Sequence, residues 1–459
     1  MADHNLMEKI VSLAKRRGFI FPGSEIYGGL AGTFDYGPIG VLLKENVQNL
    51  WLRMFRDERD DMYGIDAAIL MNPRVWESSG HVAGFSDPLV ECEKCKKRFR
   101  ADHLDGTGEC PECGGALGTA RQFNMMFKTH AGAMEDESAV VYLRPETAGG
   151  MFVNYKNVVD SLHPKLPFGL IQIGKAFRNE IAPRDFVFRL RELTQMEVEY
   201  FVRPADWERA FEEWRGLMHR YAEAIGLPEG SVHELDVPAE DRAHYSKRTI
   251  DFEFDYPFGR KELWGLAYRT DFDLSAHEKG SGVELKYLDE ETKEKFTPHV
   301  IEPSLGVDRT ILAILSSAYR EDQMGPSSAE ASEGKGEKRV YLALSPRVAP
   351  VKAMVAPLLK NKPELVLKAR EVRAELCKVH PAIAWDDNGN IGKRYRRQDE
   401  IGTPFCVTID FDTLGDPSTS SGQENRNPKD TVTLRHRDTG EQERLSISEV
   451  AERIRAAIQ

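Results

Sequence analysis

The sequence predicts an α+β protein. Its first domain is an antiparallel sheet flanked by helices, with a cysteine-rich ribbon-like insertion, and a separate α/β domain follows at the C-terminal end. Three observations predict this. Two alternating segments, 170–180 and 188–200, flank a turn-like Ala182-Pro-Arg-Asp185, the pattern of an antiparallel hairpin. Two Cys-x2-Cys pairs are separated by fourteen residues. A segment poor in apolar residues and rich in turn formers, Gly325–Glu337, precedes a run in which short apolar strands alternate with helices. The expected boundaries are 1–320 for the first domain, with insertions at 87–120 and 201–260, then a linker at 321–338 and the second domain at 339–459.

A chain of 459 residues is long enough for two or three domains, and 41% hydrophobic with 30% charged residues suits a soluble globular protein. The N-terminal stretch Met1–Ile10 enters an amphipathic helical pattern that ends near Gly18, with nothing resembling a signal peptide and no run long enough to span a membrane. The cytosol is the default location. A net charge of -12 argues against a protein that coats itself with nucleic acid, although a large RNA needs only a local basic surface. Gly392-Lys-Arg-Tyr-Arg-Arg397 is one such cluster, and it reads equally as a solvated helix face.

Pro38 opens a long helix in which Leu43, Val47, Leu50, Trp51 and Phe55 recur at helical spacing. A strand-like stretch from Ile65 to Leu70 follows, then Asn72-Pro73. Cys92, Cys95, Cys110 and Cys113 have the spacing of a zinc ribbon, four thiolates closing a structural site; two disulfides are the alternative, disfavoured in a reducing cytosol. In the hairpin, Gln172, Gly174, Ala176, Arg178 and Glu180 share one face, and Arg189, Arg191, Gln195, Glu197 and Glu199 share a face of the return strand. So much charge reads either as a solvated sheet face or as a floor for a polar ligand. Aromatic residues from Trp207 to Ile225 mark one helix within the second insertion. The strand Leu263–Arg269 repeats the small-then-charged design through Gly265, Ala267 and Arg269. Strand His299–Ser304 then leads into an apolar helix, Leu305–Leu315, with Gly306 at its entrance. Arg309 opposes the helix dipole in the first turn, which gives it a reason beyond helix stability. In the last domain the pattern runs through 340–344, 348–359, 364–380, 382–385, 391–401, 405–410 and 431–437 to a helix from Ser448. A loop at Asp416–Pro428 reads as mobile.

Phe177-Arg-Asn-Glu180, with Arg189 and Arg191-Glu-Leu-Thr-Gln-Met-Glu197, resembles motif 2 of class II aminoacyl-tRNA synthetases. The Gly306-x-x-Arg309 helix start resembles motif 3, and the Pro38 helix with its following strand and proline resembles motif 1, the dimer-building motif. The C-terminal pattern is similar to the anticodon-binding domain of glycyl, histidyl, prolyl and threonyl enzymes. Trp76–Phe85, Leu143–Gly150, Tyr268–Leu274 and Val300–Gly306 together resemble single-chain, dimeric glycyl-tRNA synthetases over nearly the whole chain.

That resemblance implies a class II catalytic domain with a zinc-ribbon-like insertion, and glycine, ATP, Mg2+ and tRNA(Gly) as ligands of a cytoplasmic homodimer. Arg178, Glu180 and Arg309 would be catalytic. Arg178 would hold the α-phosphate, Arg189 the γ-phosphate, and Arg309 the adenine face and the phosphates. Glu180 would read the adenine amino group. Asn179, Phe188, Leu193, Leu285 and Gly306 would complete the ATP site, with Glu284 as metal ligand. Glu146, Glu197 and Glu302 would surround the glycine ammonium, Ser304 would stand beside the α-carbon, Arg269 would face the carboxylate, and Arg100 would contact substrate. Leu193 departs from the family's phenylalanine, which stacks under adenine. A prolyl, threonyl or histidyl enzyme, a non-catalytic synthetase-like tRNA-binding protein and a zinc-ribbon nucleic-acid binder are the rival readings.

Overall fold

A computed structural model describes residues 4–324, apart from 105, 107 and 244, together with 337–415 and 429–459. The centre of the expected linker and the loop at 416–428 lie outside the described residues. A seven-stranded sheet organises the first domain. Its strands run, edge to edge, Val232–Asp236, Arg248–Tyr256, Gly259–Thr270, His299–Gly306, Glu192–Val202, Phe168–Phe177 and Met62–Gly64. All neighbours pair antiparallel except the last two.

One face of the sheet carries the main core. Helices Pro38–Leu52, Trp207–Ala224 and Val307–Ala318 bring Trp51, Trp214, Tyr221 and Ile311 against Met196, Val198 and Ile301. The first of these helices starts as its sequence dictates, with Gly37 at the N-cap and Pro38 in the first turn, where a missing N–H costs nothing. Gly40 is obligatory there, because a Cβ would lie 1.9 Å from the Phe19 carbonyl oxygen. On the opposite face, helix Ala148–Leu162 seats Phe152 and Tyr155 on Phe168, Leu170 and Phe201. Beyond this plug the same face turns polar through Gln172, Gln195 and Glu197, all buried. The charged hairpin face is therefore not solvated, and it lines the interior of a cleft.

Four expectations are corrected. The strand placed at 65–70 lies earlier, at Met62–Gly64, and only Leu70 makes an isolated bridge, to Leu143. Residues 201–260 are no helical insertion, since two of the seven strands come from them and their helix builds the main core. The ends of the linker are strands Tyr319–Met324 and Glu337–Leu342, paired with each other. Leu342, Leu344, Val348 and Ala349 pack in the main core, so the second folding unit begins later than residue 339. That unit is a five-stranded sheet, Ile383–Trp385, Ala353–Pro357, Phe405–Ile409, Thr431–His436 and Gln442–Ser446 in order, with helices Pro363–Cys377, Ile391–Ile401 and Ile447–Ile458. In its basic helix, Arg394 is buried and donates to the carbonyls of Pro357, Asp387 and Gly389, while Arg397 clamps Asp386. These two cations organise the Asp386–Asn390 turn and are not a free RNA-binding surface.

Candidate active site

A cavity of about 330 Å3 lies over the polar half of the sheet. Its two ends carry opposite charge. Sheet register makes the acidic end: Ser304 pairs across to both Glu197 and Gly265, and Glu302 pairs with Ala267 on the same face. Glu146 arrives from the turn that opens helix Ala148–Leu162. Glu146, Glu197, Glu302 and Ser304 all line the cavity.

These carboxylates are short of positive charge. Glu197 accepts from Ser304 Oγ at 2.7 Å, from the Thr147 amide at 3.1 Å and from the Thr147 hydroxyl. Burial, and then the nearby Glu146 charge, still push its pKa up. Burial likewise raises Glu302, against the pull of Arg269 and with the repulsion of Glu197 and Glu146. Glu146 moves the other way: burial raises it, but His81 at 3.3 Å, Arg269 and Arg178 hold it below the usual range. Glu199, which the sequence places on the charged face without assigning it a role, is fully buried, and neither of its carboxylate oxygens has a hydrogen-bond partner among the described residues. A cation entering here relieves repulsion that the fold leaves standing.

Arg269, expected to face the glycine carboxylate, is turned onto protein carboxylates. It is fully buried, forks onto Asp273 at 2.7 and 2.8 Å, and donates to Glu302 at 2.6 Å, so its hydrogen-bonding capacity is directed into the protein. It orients Glu302.

The basic end is made by Arg178, just past strand Phe168–Phe177, with Arg189 and Arg309. Arg178 donates to the Pro145 carbonyl at 3.2 Å. Arg309 pairs with Glu262 at 3.0 Å and rests over the Phe188 ring, 4.6 Å from its centroid. Phe188 is itself braced by Tyr256 and Phe258, each with centroids 5.2 Å away. The aromatic partner of Arg309 is thus Phe188, with Leu193 lining the cavity nearby. Burial lowers the Arg189 pKa, and Arg100, Arg184 and Arg309 crowd it further, a condition that an anion relieves. Two buried acceptors of lining residues, Glu180 Oε2 and Gln195 Oε1, have no hydrogen-bond donor. Gly306 lines the cavity; Asn179 does not, and its amide donates to the Met125 carbonyl at 2.7 Å.

Two further expected residues lie elsewhere. Glu284 is an exposed partner of Lys295, and Leu285 packs in the small core behind helix Ala148–Leu162. Their place in the cavity is held by Glu262 and Leu263. The Glu-Leu pair recurs at both positions, and only the sheet separates them. Arg100, tied to Asp87 at 2.5 Å and Asp102 at 2.6 Å, is outside the cavity lining but near enough that its charge acts on Arg189 and Glu180. Sequence reasoning also missed the segment 237–247, which supplies Val237, Asp241, Arg242, Ala243 and Tyr245 to the lining; it has no periodicity that would mark it.

The four cysteines converge. Their Sγ atoms lie within 4.8 Å of one another, with Cys92 to Cys113 at 3.6 Å and Cys95 to Cys110 at 3.7 Å. Four sulfurs at Zn–S distances of about 2.3 Å in a tetrahedron stand roughly 3.8 Å apart. The Cys95 amide donates to Cys92 Sγ at 3.4 Å; backbone donors of this kind, outweighing burial, bring that thiol down to about 6. The donor set fits zinc.

Comparison with known proteins agrees with this geometry. Residues 127–318 match the family model of the tRNA synthetase class II core domain (G, H, P, S and T), and residues 352–457 match that of the anticodon binding domain. Fold and site together define a class II aminoacyl-tRNA synthetase. The chain is 49% identical to the glycine–tRNA ligase of Thermobifida fusca over 98% of its length and 97% of that protein. It is 47% identical to the glycine–tRNA ligase of Streptomyces coelicolor (97% and 96% covered) and 46% identical to that of Treponema denticola (100% and 98%). The chain belongs to the glycine–tRNA ligase family.

Proposed function

We propose that the protein attaches glycine to tRNA(Gly) in two steps. A glycine carboxylate oxygen attacks the α-phosphorus of ATP, pyrophosphate leaves, and the terminal ribose hydroxyl of the tRNA then displaces AMP from the glycyl-adenylate. The observation that carries this reading is the polarity of the cavity: Glu146, Glu197, Glu302 and a serine gather at one end, and the three arginines Arg178, Arg189 and Arg309, interleaved with Glu180 and Glu262, at the other. An amino acid joined to a nucleotide through phosphorus matches that distribution of charge.

Glu146, Glu197 and Glu302 take the ammonium, and Ser304, tied to Glu197, flanks the α-carbon. With Arg269 committed to Asp273 and Glu302, the carboxylate falls to Arg178, whose charge acts on both Glu146 and Glu262 and which therefore stands between the two ends. Arg178 also meets the α-phosphate. Arg189 and Arg309 carry the remaining phosphates, and Arg309 covers the adenine. Glu180 Oε2, which has no hydrogen-bond donor among the described residues and faces Arg189 at 3.9 Å, accepts from the adenine amino group. Stabilisation of charge at phosphorus by these placed cations is the main source of rate. Glu262, which lines the cavity and is paired with Arg309 at 3.0 Å, would be the carboxylate to hold Mg2+ alongside the phosphates. Bound Mg2+ would neutralise charge on the departing pyrophosphate.

Zinc held by Cys92, Cys95, Cys110 and Cys113 would be structural. A second copy is the partner for the apolar N-terminal residues Ile26, Tyr27 and Leu30, which are 89%, 86% and 60% exposed, and for Val41 and Leu42, exposed on the helix that resembles motif 1. No helix among the described residues is long and apolar enough to cross a membrane; we place the enzyme in the cytoplasm, with its substrate tRNA. The test is charging of tRNA(Gly) with labelled glycine by the purified full-length chain. Charging that depends on ATP and on the glycine tRNA supports the reading. Binding of that tRNA without charging would favour the non-catalytic alternative.

A further inference from the structure

The floor of the amino-acid end has a gap. Gly265 lies in the sheet beside Ser304, and a Cβ built on it meets nothing within 4 Å. The floor by itself leaves room for a side chain on the substrate, so exclusion has to come from the other side of the cavity. Val237, Asp241, Arg242, Ala243 and Tyr245 line that side. Arg242 donates to the Val237 carbonyl at 2.7 Å and the Lys247 carbonyl at 2.5 Å. The Lys247 amide donates to Tyr268 O at 2.9 Å, and Ser246 Oγ lies 2.7 Å from Thr249 Oγ1.

Tyr245, which lines the cavity, is positioned by a cation–ring contact. Its ring lies 3.7 Å from the Arg269 guanidinium carbon, and Arg269 is immobilised by Asp273 and Glu302 and backed by Phe152, with a centroid at 5.3 Å. The ring thus shares Arg269 with Glu302. Burial, the first influence on its phenol, is followed by the charges of Arg269, Glu302, Glu146 and Asp273, so the ring stands among the carboxylates assigned to the ammonium.

We propose that Tyr245 is a specificity-determining residue, a fixed roof over the amino-acid end of the cavity that admits glycine and excludes any α-substituent. It acts with Ser304: the serine bounds the α-carbon at the floor, and the ring, set over Arg269 beside Glu302, closes the cavity on the side of the carboxylates. Discrimination by one methyl group in such a pocket is worth roughly 10- to 200-fold. The inference rests on the carboxylate end being the glycine site.

The experiment is amino-acid-dependent pyrophosphate exchange with glycine and with alanine, using full-length wild type, Tyr245→Phe, Tyr245→Ala and, in parallel, Glu302→Gln. Tyr245→Phe is expected to keep the wild-type ratio of kcat/KM for glycine over alanine. Tyr245→Ala is expected to lower that ratio at least about tenfold while the KM for ATP stays within about twofold. If thermal melting shows Tyr245→Ala to be unfolded, Tyr245→Val carries the same expectation. A raised KM for glycine with an unchanged ratio would make the ring a mere support for Arg269 and overturn the proposal. An unchanged ratio and KM, with Glu302→Gln weakening glycine, would overturn the roof alone. If Glu302→Gln also leaves glycine kinetics unchanged, the glycine site itself is misplaced and the proposal falls with it.

Discussion

Replacing Glu302 by glutamine separates stability from function at the acidic end. The amide keeps the shape and one acceptor for Arg269, now 2.6 Å away, and removes a single negative charge. Around that charge stand Glu197, Glu146 and Asp273 against Arg269 alone, and the Glu199 carboxyl is pushed up by burial first and by Glu302 next. Removing one of several like charges from a buried cluster relieves repulsion, so the apparent melting temperature is expected to hold or rise. The substrate ammonium loses one of three counter-charges. A hydrogen bond to a charged group is worth about 1.5–3 kcal/mol, which converts to roughly a 10- to 100-fold higher KM for glycine. In the proposed arrangement ATP occupies the other end of the cavity, and its KM is expected to stay near wild type. Pyrophosphate exchange with each substrate varied in turn, beside a melting curve, reads all three quantities. Equal rises in both KM values, or an unchanged KM for glycine with a lowered melting temperature, would refute the reasoning.

Arg309→Ala removes the partner of Glu262 and Phe188 at the basic end and is expected to lower the exchange rate about a hundredfold or more, with melting little changed. Gly265→Val places its methyls in open cavity on an extended strand, so folding should change by less than about 1 kcal/mol while exchange is blocked, as melting and kinetics on one preparation would show. Glu262→Gln should raise the KM for ATP and its Mg2+ requirement, whereas Glu284→Gln, at an exposed Lys295 pair, should match wild type; the reverse ranking would restore the sequence-based assignment. Elemental analysis should find one zinc per chain after purification without chelator, and Cys95→Ser should lose it.

Much of this was legible because strands announce themselves by period two and helices by their caps. The Pro38 helix, the hairpin, the glycine before Arg309 and the cysteine spacing needed no tertiary knowledge. Other features were hidden for physical reasons. Alternation reports only that a face is polar; whether Glu197 and Glu199 meet water or a buried cleft depends on the plug of Phe152 and Tyr155 and on strands distant in sequence. Glu262-Leu263 and Glu284-Leu285 are the same dipeptide, and their three-dimensional placement alone distinguishes them. For Arg269 a signal was present and passed over: Asp273 stands four residues on and takes both prongs of the guanidinium. Tyr245 sits in an aperiodic segment, where sequence carries no statement about what the ring covers.

The most direct test of the central claim is pyrophosphate exchange by the wild-type chain across all twenty amino acids, at saturating ATP and Mg2+. The charge distribution of the cavity, and the lack of space above the α-carbon, predict exchange with glycine, with alanine and serine far behind and proline, threonine and histidine at background. Exchange driven equally well by alanine or by any larger amino acid, or none with glycine, would contradict the account.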